Sequence, residues 1–184
     1  MKKANFTGVI LAGGASRRMG TDKAILCING TSLIDIMTDK LLAAGANNIK
    51  ILGRSNVDGG IPDKRPGDGP VAATLDYLNC QVSGTKHLFV PVDMPALPVG
   101  LLSKLAAENY WAYFHENYMP FLAVADNIHL TKPERLQDLL LIKLAKKLDL
   151  PSNKKAWFSN LNHPSEFTSY VNSAPKNKPI LELK

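Results

Sequence analysis

The chain has 184 residues, of which 45% are hydrophobic and 21% are charged, and its formal net charge at pH 7 is +6. This length and composition predict one compact domain with a sizeable core, and they exclude a wholly disordered chain, a collagen-like chain and a bare coiled coil. The positive charge favours a polyanionic partner, but the basic residues form no long tract, so nucleic acid is not expected as a partner.

The first half of the chain alternates apolar runs with helical periods. The sequence predicts strands at 6–12, 49–52 and 87–92, and helices at 31–45, 71–78 and 101–108. A loop of small and basic residues, 13–21, follows the first strand, and residues 53–70 are irregular. Strands that alternate with helices indicate an α/β fold, Rossmann-like, with three α/β/α layers and a mostly parallel sheet.

The second half is less regular. Two strands, at 111–115 and 120–124, flank a tight turn, and the leucine spacing of residues 133–148 predicts a long helix. Its lysines are expected on the solvated face: Lys143, Lys146 and Lys147. A late strand at 156–158 and a short helix at 164–170 follow. We expect a single domain over residues 1–173 and a loose, flexible tail over 174–184.

Two cysteines, Cys27 and Cys80, are too few for a disulfide scaffold, and their apolar neighbours predict reduced thiols in the core. No apolar run approaches the roughly 20 residues of a membrane span, and the first residues lack the pattern of a secretory signal. We therefore expect a cytoplasmic protein that does not bind membranes. The histidines show no ligand spacing, so no zinc site is expected.

The loop after the first strand is suited to bind an anion. Gly13 and Gly14 lack side chains, so backbone N–H groups there can approach phosphate oxygens closely. The polar side chains that could join them are Ser16, Arg17, Arg18 and Lys23. Ligands bind outside the carboxyl ends of the strands in sheets of this kind. The spacing fits neither a Walker loop nor the dinucleotide fingerprint, and the alternative is a surface turn with solvated basic residues.

Polar residues also follow two later segments. Asp93 ends the strand at 87–92 and could hold Mg²⁺, which proteins often bind through one or two carboxylates with phosphate oxygens; the alternative is a cap for the next helix. Asp22 is a poorer metal candidate that is expected to position Lys23. Asn160 and Asn162 alternate along an extended segment and could present amides to a substrate, or they could serve a turn before a helix.

Residues 11–23, LAGGASRRMGTDK, match every specified position of a nucleotidyltransferase signature, LAGGxSxRMGxDK. The chain resembles the molybdenum cofactor guanylyltransferase family within that superfamily. Three further segments resemble steps of this family in the same order: GPVAA at 69–73, PVDMP at 91–95 and NLNHPSE at 160–166. The resemblance thus extends over residues 11–166.

The resemblance implies an enzyme that transfers GMP from GTP to molybdopterin with Mg²⁺ and releases pyrophosphate, with proteins of molybdoenzyme maturation as further partners. It implies nucleotide contacts by Leu11, Ala12, Gly13, Gly14, Ser16, Arg18, Gly20, Lys23, Asp63 and Asp93. Arg17, Lys23 and Asp93 would be catalytic, and Asp93 would hold the metal. Asn160 and Asn162 would bind the acceptor substrate. Asp63 fits a polar loop residue equally well.

Two segments depart from the family pattern. Gly53 and Arg54 follow the second strand, where the guanylyl enzymes commonly carry an asparagine, and residues 111–159, which shape the acceptor pocket in the family, are divergent. A cytidylyltransferase or another nucleotidyltransferase is therefore an alternative. A nucleotide-binding regulatory module without turnover is a second alternative.

Overall fold

A seven-stranded sheet is the central layer of the computed structural model, which describes residues 5–14, 22–126, 135–150 and 155–173. The strands and helices in these ranges are, in chain order, β1 (Thr7–Leu11), β2 (Cys27–Ile28), β3 (Thr31–Ser32), α1 (Leu33–Ala43), β4 (Asn48–Leu52), β5 (Gly60–Ile61), α2 (Gly69–Leu78), β6 (Lys86–Pro91), α3 (Val99–Ala106), β7 (Ala112–Phe114), β8 (Asn117–Val124), α4 (Leu136–Ile142), β9 (Lys146–Leu148) and α5 (Pro164–Ser173). Short 3₁₀ helices span Lys23–Ile25 and Lys155–Phe158.

The sheet is mostly parallel, as predicted. Its strand order is β5-β4-β1-β6-β8-β7-β9, and β8 alone among these strands runs against the others. Leu11 at the end of β1 is level with Leu52 of β4 and with Pro91 of β6. The carboxyl ends of three neighbouring strands therefore meet at one edge of the sheet, which we call the carboxyl edge.

Helices cover both faces of the sheet, which confirms the predicted three layers. Successive residues of β1 point to opposite faces: Ile10 packs with the residues of α1 and α3, and Val9 packs with those of α2 and α4. Both side chains are fully buried. A strand buried on both faces has a continuous apolar sequence, which explains why the run at residues 9–11 was a clear strand signal.

Local signals fix the ends of the early helices. The hydroxyl of Ser32 accepts a hydrogen bond from the N–H of Asp35 at 3.1 Å and so caps the start of α1. Gly45, with a φ of 102°, takes the left-handed conformation that follows the end of this helix. The helix predicted at 101–108 begins two residues earlier, at Val99, because Pro98 fits the position before the first turn.

The long helix predicted over 133–148 is wrong in its second half. Helix α4 ends at Ile142, Leu144 adopts a left-handed φ of 49°, and residues 146–148 form strand β9 beside β7. Backbone pairing at the sheet edge, with the N–H of Lys146 donating to Trp111 O at 2.7 Å, overrides the leucine period. Lys143 is not solvated either, since its ammonium binds both carboxylate oxygens of Asp126 at 2.7 Å. Residues 133–134 lie outside the described ranges.

Two smaller predictions are also wrong. Residues 156–158 belong to a 3₁₀ helix instead of a strand, and Phe158 packs edge-on against Phe114 with ring centroids 6.0 Å apart. Cys27 and Cys80 are exposed because Ile28, the neighbour of Cys27, faces the core, and because Cys80 lies beyond the end of α2.

None of the helices in the described ranges has the length and apolar character needed to cross a membrane. The predicted tail, 174–184, lies outside these ranges.

Candidate active site

Three polar side chains from distant parts of the chain converge at the carboxyl edge. The ammonium of Lys23 lies 2.9 Å from Asp93 Oδ2 and 2.6 Å from Asn162 Oδ1. The side chains of Lys23 and Asp93 are only 14% and 18% exposed. We call these three residues the rim cluster. Its partial burial weakens solvent screening, so the charges interact more strongly than a surface pair would.

Lys23 is held by the short 3₁₀ helix that it begins. Asp22 caps this helix, since its Oδ1 accepts a hydrogen bond from the N–H of Ala24 at 3.1 Å, and Ala24 is buried. The carboxylate of Asp22 also binds Arg54, which holds the pKa of Asp22 below its usual value. Asp22 thus orients Lys23 through the backbone and not through a contact between the two side chains.

Asp93 follows β6 in a turn that is tied to the strands around it. The N–H of Val92 donates to Leu11 O at 3.1 Å, and the N–H of Leu161 donates to Asp93 O at 2.9 Å. Helix α3 begins at Val99, so Asp93 does not cap it. The helix-cap alternative for Asp93 is therefore wrong, and the carboxylate instead faces Lys23.

Asn162 is positioned by the first turn of α5. The Oε2 atom of Glu166 accepts hydrogen bonds from the N–H groups of Asn162 at 2.7 Å and His163 at 2.8 Å. These bonds lower the pKa of Glu166 and fix the backbone before Pro164, which begins the helix. The asparagine amide therefore reaches Lys23 from a fixed backbone.

The glycine-rich loop leaves β1 against a second glycine. A Cβ atom added to Gly53 would lie 2.5 Å from the N atom of Gly13 and closer still to its Cα, and Gly53 has a φ of 84°. A Cβ atom on Gly13 would lie 2.7 Å from Asp63 Oδ2. The two backbones can approach only because neither residue has a side chain, and their approach places Asp63 beside the start of the loop.

Arg54 is the residue that sequence reasoning missed. Its Nε donates to Ala12 O at 3.0 Å, and both of its Nη atoms donate to the carboxylate of Asp22. The sequence marked Arg54 only as a departure from the family pattern. No local spacing could have paired Arg54 with Asp22, because the two residues are 32 positions apart.

The structure places nine of the sequence-predicted site residues and brings most of them to the carboxyl edge. Those at this edge are Leu11, Ala12, Gly13, Gly14, Lys23, Asp63, Asp93 and Asn162. Asn160 is exposed on the same segment as Asn162. The predicted residues outside the described ranges are Ser16, Arg17, Arg18 and Gly20. The N–H of Ala12 donates to Leu52 O at 3.0 Å, so this N–H group is not available to a phosphate oxygen.

The cluster offers oxygen atoms to a cation. Asp93 and Asn162 each direct one oxygen at the Lys23 ammonium, and carboxylate and amide oxygens are ligands that Mg²⁺ and Mn²⁺ accept. No group of three or more His, Cys, Asp or Glu side chains suited to a metal occurs in the part of the chain that is described. This donor set fits a divalent ion that arrives with phosphate oxygens, and it does not fit a closed protein cage.

Two solved structures share this fold. Molybdopterin-guanine dinucleotide biosynthesis protein A from Archaeoglobus fulgidus superposes with a TM-score of 0.66 at 16% identity, over 91% of this chain and 97% of that one. A Mycobacterium tuberculosis protein solved in complex with manganese superposes with a TM-score of 0.62 at 14% identity, over 92% of this chain and 99% of that one. The fold is that of an α/β nucleotidyltransferase.

The sequence comparisons give the family. A model described as the MobA-like NTP transferase domain matches residues 8–130. A molybdenum cofactor guanylyltransferase from Yersinia pestis is 34% identical to this chain, and the match covers 88% of this chain and 93% of the relative. The chain belongs to the MobA-like NTP transferase family, and it is an enzyme of the nucleotidyltransferase class. The resemblance found in the sequence is confirmed.

Proposed function

We propose that the protein transfers GMP from GTP to molybdopterin, forming the guanine dinucleotide form of the cofactor and releasing pyrophosphate. The observation that carries the proposal is the convergence of Lys23, Asp93 and Asn162 at the carboxyl edge, beside the start of the glycine-rich loop. Family membership and the guanylyltransferase named above support the choice of nucleotide and acceptor.

Each residue of the rim cluster has a distinct proposed task. The Lys23 ammonium binds phosphate oxygens and stabilises the charge that develops as pyrophosphate leaves. Asp93 and Asn162 hold this ammonium in place before the nucleotide binds, so little reorganisation is needed. The proposed nucleotide contacts of Arg17 and Arg18 rest on the signature at residues 11–23.

A divalent ion, proposed to be Mg²⁺, would be held by Asp93 together with phosphate oxygens of the substrate, with Asn162 as a second oxygen nearby. Such an ion would neutralise part of the negative charge of the phosphate groups.

The proposed reaction is an in-line displacement with no protein nucleophile. An oxygen of the acceptor's terminal phosphate forms a bond to the α-phosphorus of GTP, and the bond from that phosphorus to the bridging oxygen of the β-phosphate breaks. Pyrophosphate leaves with the electron pair. The chain's contribution is positioning and charge stabilisation, which account for most of the catalysis of such transfers.

Further proposals concern the bounds of the domain, its location in the cell and its partners. We assign residues 1–173 to one nucleotidyltransferase domain, because α5 contributes Phe167, Tyr170 and Val171 to the same core as α1 and α3. Residues 174–184 would form a flexible tail. The protein would act in the cytoplasm with GTP and molybdopterin as substrates and hand its product to proteins of molybdoenzyme maturation, without binding nucleic acid or membranes.

The test is product formation from GTP, Mg²⁺ and molybdopterin, with pyrophosphate and dinucleotide measured and with CTP, ATP and UTP as competing donors. Asp93→Asn should lower kcat by about 10²–10³-fold, as loss of a preorganised charge does in other enzymes, and a chelator should abolish turnover. Asp39→Asn is the control, because Asp39 is exposed on α1.

Three results would contradict parts of the proposal. Tight GTP binding without product would favour a regulatory module. A preference for CTP would favour a cytidylyltransferase. Full activity of Asp93→Asn would remove the metal assignment.

A further inference from the structure

We propose that Lys40, a buried lysine on α1, is a positioning residue that holds the turn after Asp93 and thereby keeps the Asp93 carboxylate beside Lys23. The proposal rests on the proposed function only in taking Asp93 as a residue of the reaction site. Lys40 itself acts from outside that site, because its ammonium donates to the carbonyl oxygen of Leu97 at 2.8 Å.

The burial of Lys40 is costly for a charged side chain. The residue is 1% exposed, and burial lowers the pKa of its ammonium group to about 8. Moving an ammonium group out of water costs free energy, and a single carbonyl oxygen compensates only part of that cost. An apolar side chain of similar length would fill the same space at lower cost. The hydrogen bond to Leu97 O is therefore the feature that distinguishes a lysine at this position.

The carbonyl group that Lys40 binds belongs to a short turn that follows Asp93 directly. The N–H of Leu97 donates to Met94 O at 3.2 Å and closes this turn. Met94 and Leu97 are both buried, and α3 begins at Val99. Asp93 lies four residues before Leu97. Anchoring Leu97 to α1 therefore limits the positions that are open to the Asp93 carboxylate.

Helix α1 also holds the segment that carries Lys23. The N–H of Leu33, the first residue of α1, donates to Leu26 O at 2.9 Å, and the N–H of Leu26 donates to Lys23 O at 3.1 Å. Leu33 and Lys40 are seven residues apart, so they lie on the same side of the helix, about 10 Å apart along its axis. One helix thus sets the spacing between the two charged members of the rim cluster, Lys23 and Asp93.

A different explanation is that Lys40 serves folding alone, by satisfying a carbonyl group that the core buries. The two explanations differ in how Lys40 and Asp93 depend on each other. If Lys40 acts through Asp93, its loss should cost little once the Asp93 carboxylate is gone. If Lys40 serves only folding, its loss should have the same effect with and without that carboxylate, because the two changes are then independent.

The experiment is a double-variant cycle on the full chain, with kcat measured as pyrophosphate release at saturating GTP, Mg²⁺ and molybdopterin. Lys40→Met replaces the ammonium group with an apolar end of similar reach. We expect it to lower kcat about tenfold, because a small displacement of a positioned group slows the reaction. In the Asp93→Asn background, the same change should alter kcat by less than about twofold, because the carboxylate that it positions is absent.

Amide hydrogen exchange supplies a readout that does not depend on turnover. Lys40→Met should speed exchange in peptides that cover residues 94–102, because the turn loses its anchor, while peptides that cover α5 keep their protection.

Lys86→Met is the matched control. Lys86 also donates to backbone carbonyl groups, those of Ala106 at 3.1 Å and Glu108 at 2.6 Å, but it lies at the amino end of β6, away from the carboxyl edge. Its loss should speed exchange at the end of α3 and leave kcat unchanged.

Thermal unfolding shows whether each variant folds. If Lys40→Met does not fold, Lys40→Gln takes its place, because the glutamine amide ends one atom short of the lysine ammonium. Failure of both variants to fold, in conditions where Lys86→Met folds, would assign Lys40 to folding and overturn the proposal. An unchanged kcat in the folded Lys40 variant, an equal loss in the Asp93→Asn background, or unchanged exchange at residues 94–102 would each overturn it as well.

Failure of the proposed function gives a different result, because the wild type itself would then release no pyrophosphate with GTP and molybdopterin. The exchange experiment needs neither substrate, so it then decides by itself whether Lys40 holds the turn after Asp93.

Discussion

The ammonium of Lys23 joins two segments that lie 70 and 139 positions away along the chain, those of Asp93 and Asn162. Losing either oxygen partner leaves a partly buried cation with fewer acceptors, which is costly in a site shielded from water. Asp93 also carries the charge that balances the lysine. Asn162 is neutral, so its contribution is one of orientation.

Asn162→Ala should therefore lower kcat by about tenfold to a hundredfold, because Lys23 loses an oxygen partner that helps to aim it at the phosphates. The loss should be smaller than that caused by Asp93→Asn. Asn172→Ala, on the exposed face of α5, is the matched control and should be active. Steady-state kinetics with GTP varied at saturating acceptor measure the effect, and an Asn162→Ala enzyme with unchanged kcat would exclude the orienting role.

At the scale of elements, the sequence predicted what local patterns determine. The apolar run at 9–11 and the capped, glycine-terminated period at 31–45 have signals within a few residues of each element, and both elements are present. Strand β9 has no such signal, because it forms by pairing with β7 at the sheet edge, and the leucine spacing before it indicated a helix.

In the candidate site, too, the sequence predicted the residues that have a local signal and missed the contacts that depend on strand pairing. Lys23 could be predicted because it belongs to the signature at residues 11–23, and Asp93 could be predicted because it follows an apolar strand. The contact of Arg54 with Asp22, and the approach of Gly53 to Gly13, join β4 to the loop after β1. These contacts depend on which strands are neighbours in the sheet, and strand order cannot be read from periodicity.

Gly53→Ala tests how β4 supports the loop. The new methyl group would overlap the backbone of Gly13, so the loop must shift, and nucleotide affinity should fall at least tenfold. Gly84→Ala is a closely matched control, because Gly84 also has a φ of 84° but a Cβ atom there would meet nothing within 4 Å. Both variants should lose about 1 kcal/mol of stability from the left-handed backbone, and Gly53→Ala should lose more, because its methyl group meets backbone atoms of Gly13. Equal nucleotide affinity in the two variants would contradict the importance of the close approach.

For the whole molecule, two buried ionisable groups make the folding stability depend on pH. Lys40, on α1, donates to Leu97 O at 2.8 Å, and burial lowers its pKa to about 8. His87, at the amino end of β6, lies within hydrogen-bond distance of the Tyr77 hydroxyl at 3.1 Å and the Thr85 hydroxyl at 2.8 Å, and burial lowers its pKa to about 4. Burial shifts both groups toward the neutral form relative to the unfolded chain, so the stability rises with pH between their folded and unfolded pKa values.

The histidine gives the clearer prediction because the pH range between its folded and unfolded pKa values is easily reached in experiments. Between the unfolded pKa of 6.5 and the folded pKa of about 4, the unfolded chain binds the extra proton, so stability is complete above pH 6.5 and is lost as the pH falls. From pH 7 to pH 4.5 this loss amounts to about 2–3 kcal/mol. Urea unfolding at the two pH values should show a smaller difference, by that amount, in His87→Gln than in the wild type. His115→Gln, which changes an exposed histidine, should retain the full difference, and an equal loss in the wild type and His87→Gln would show that His87 does not cause it.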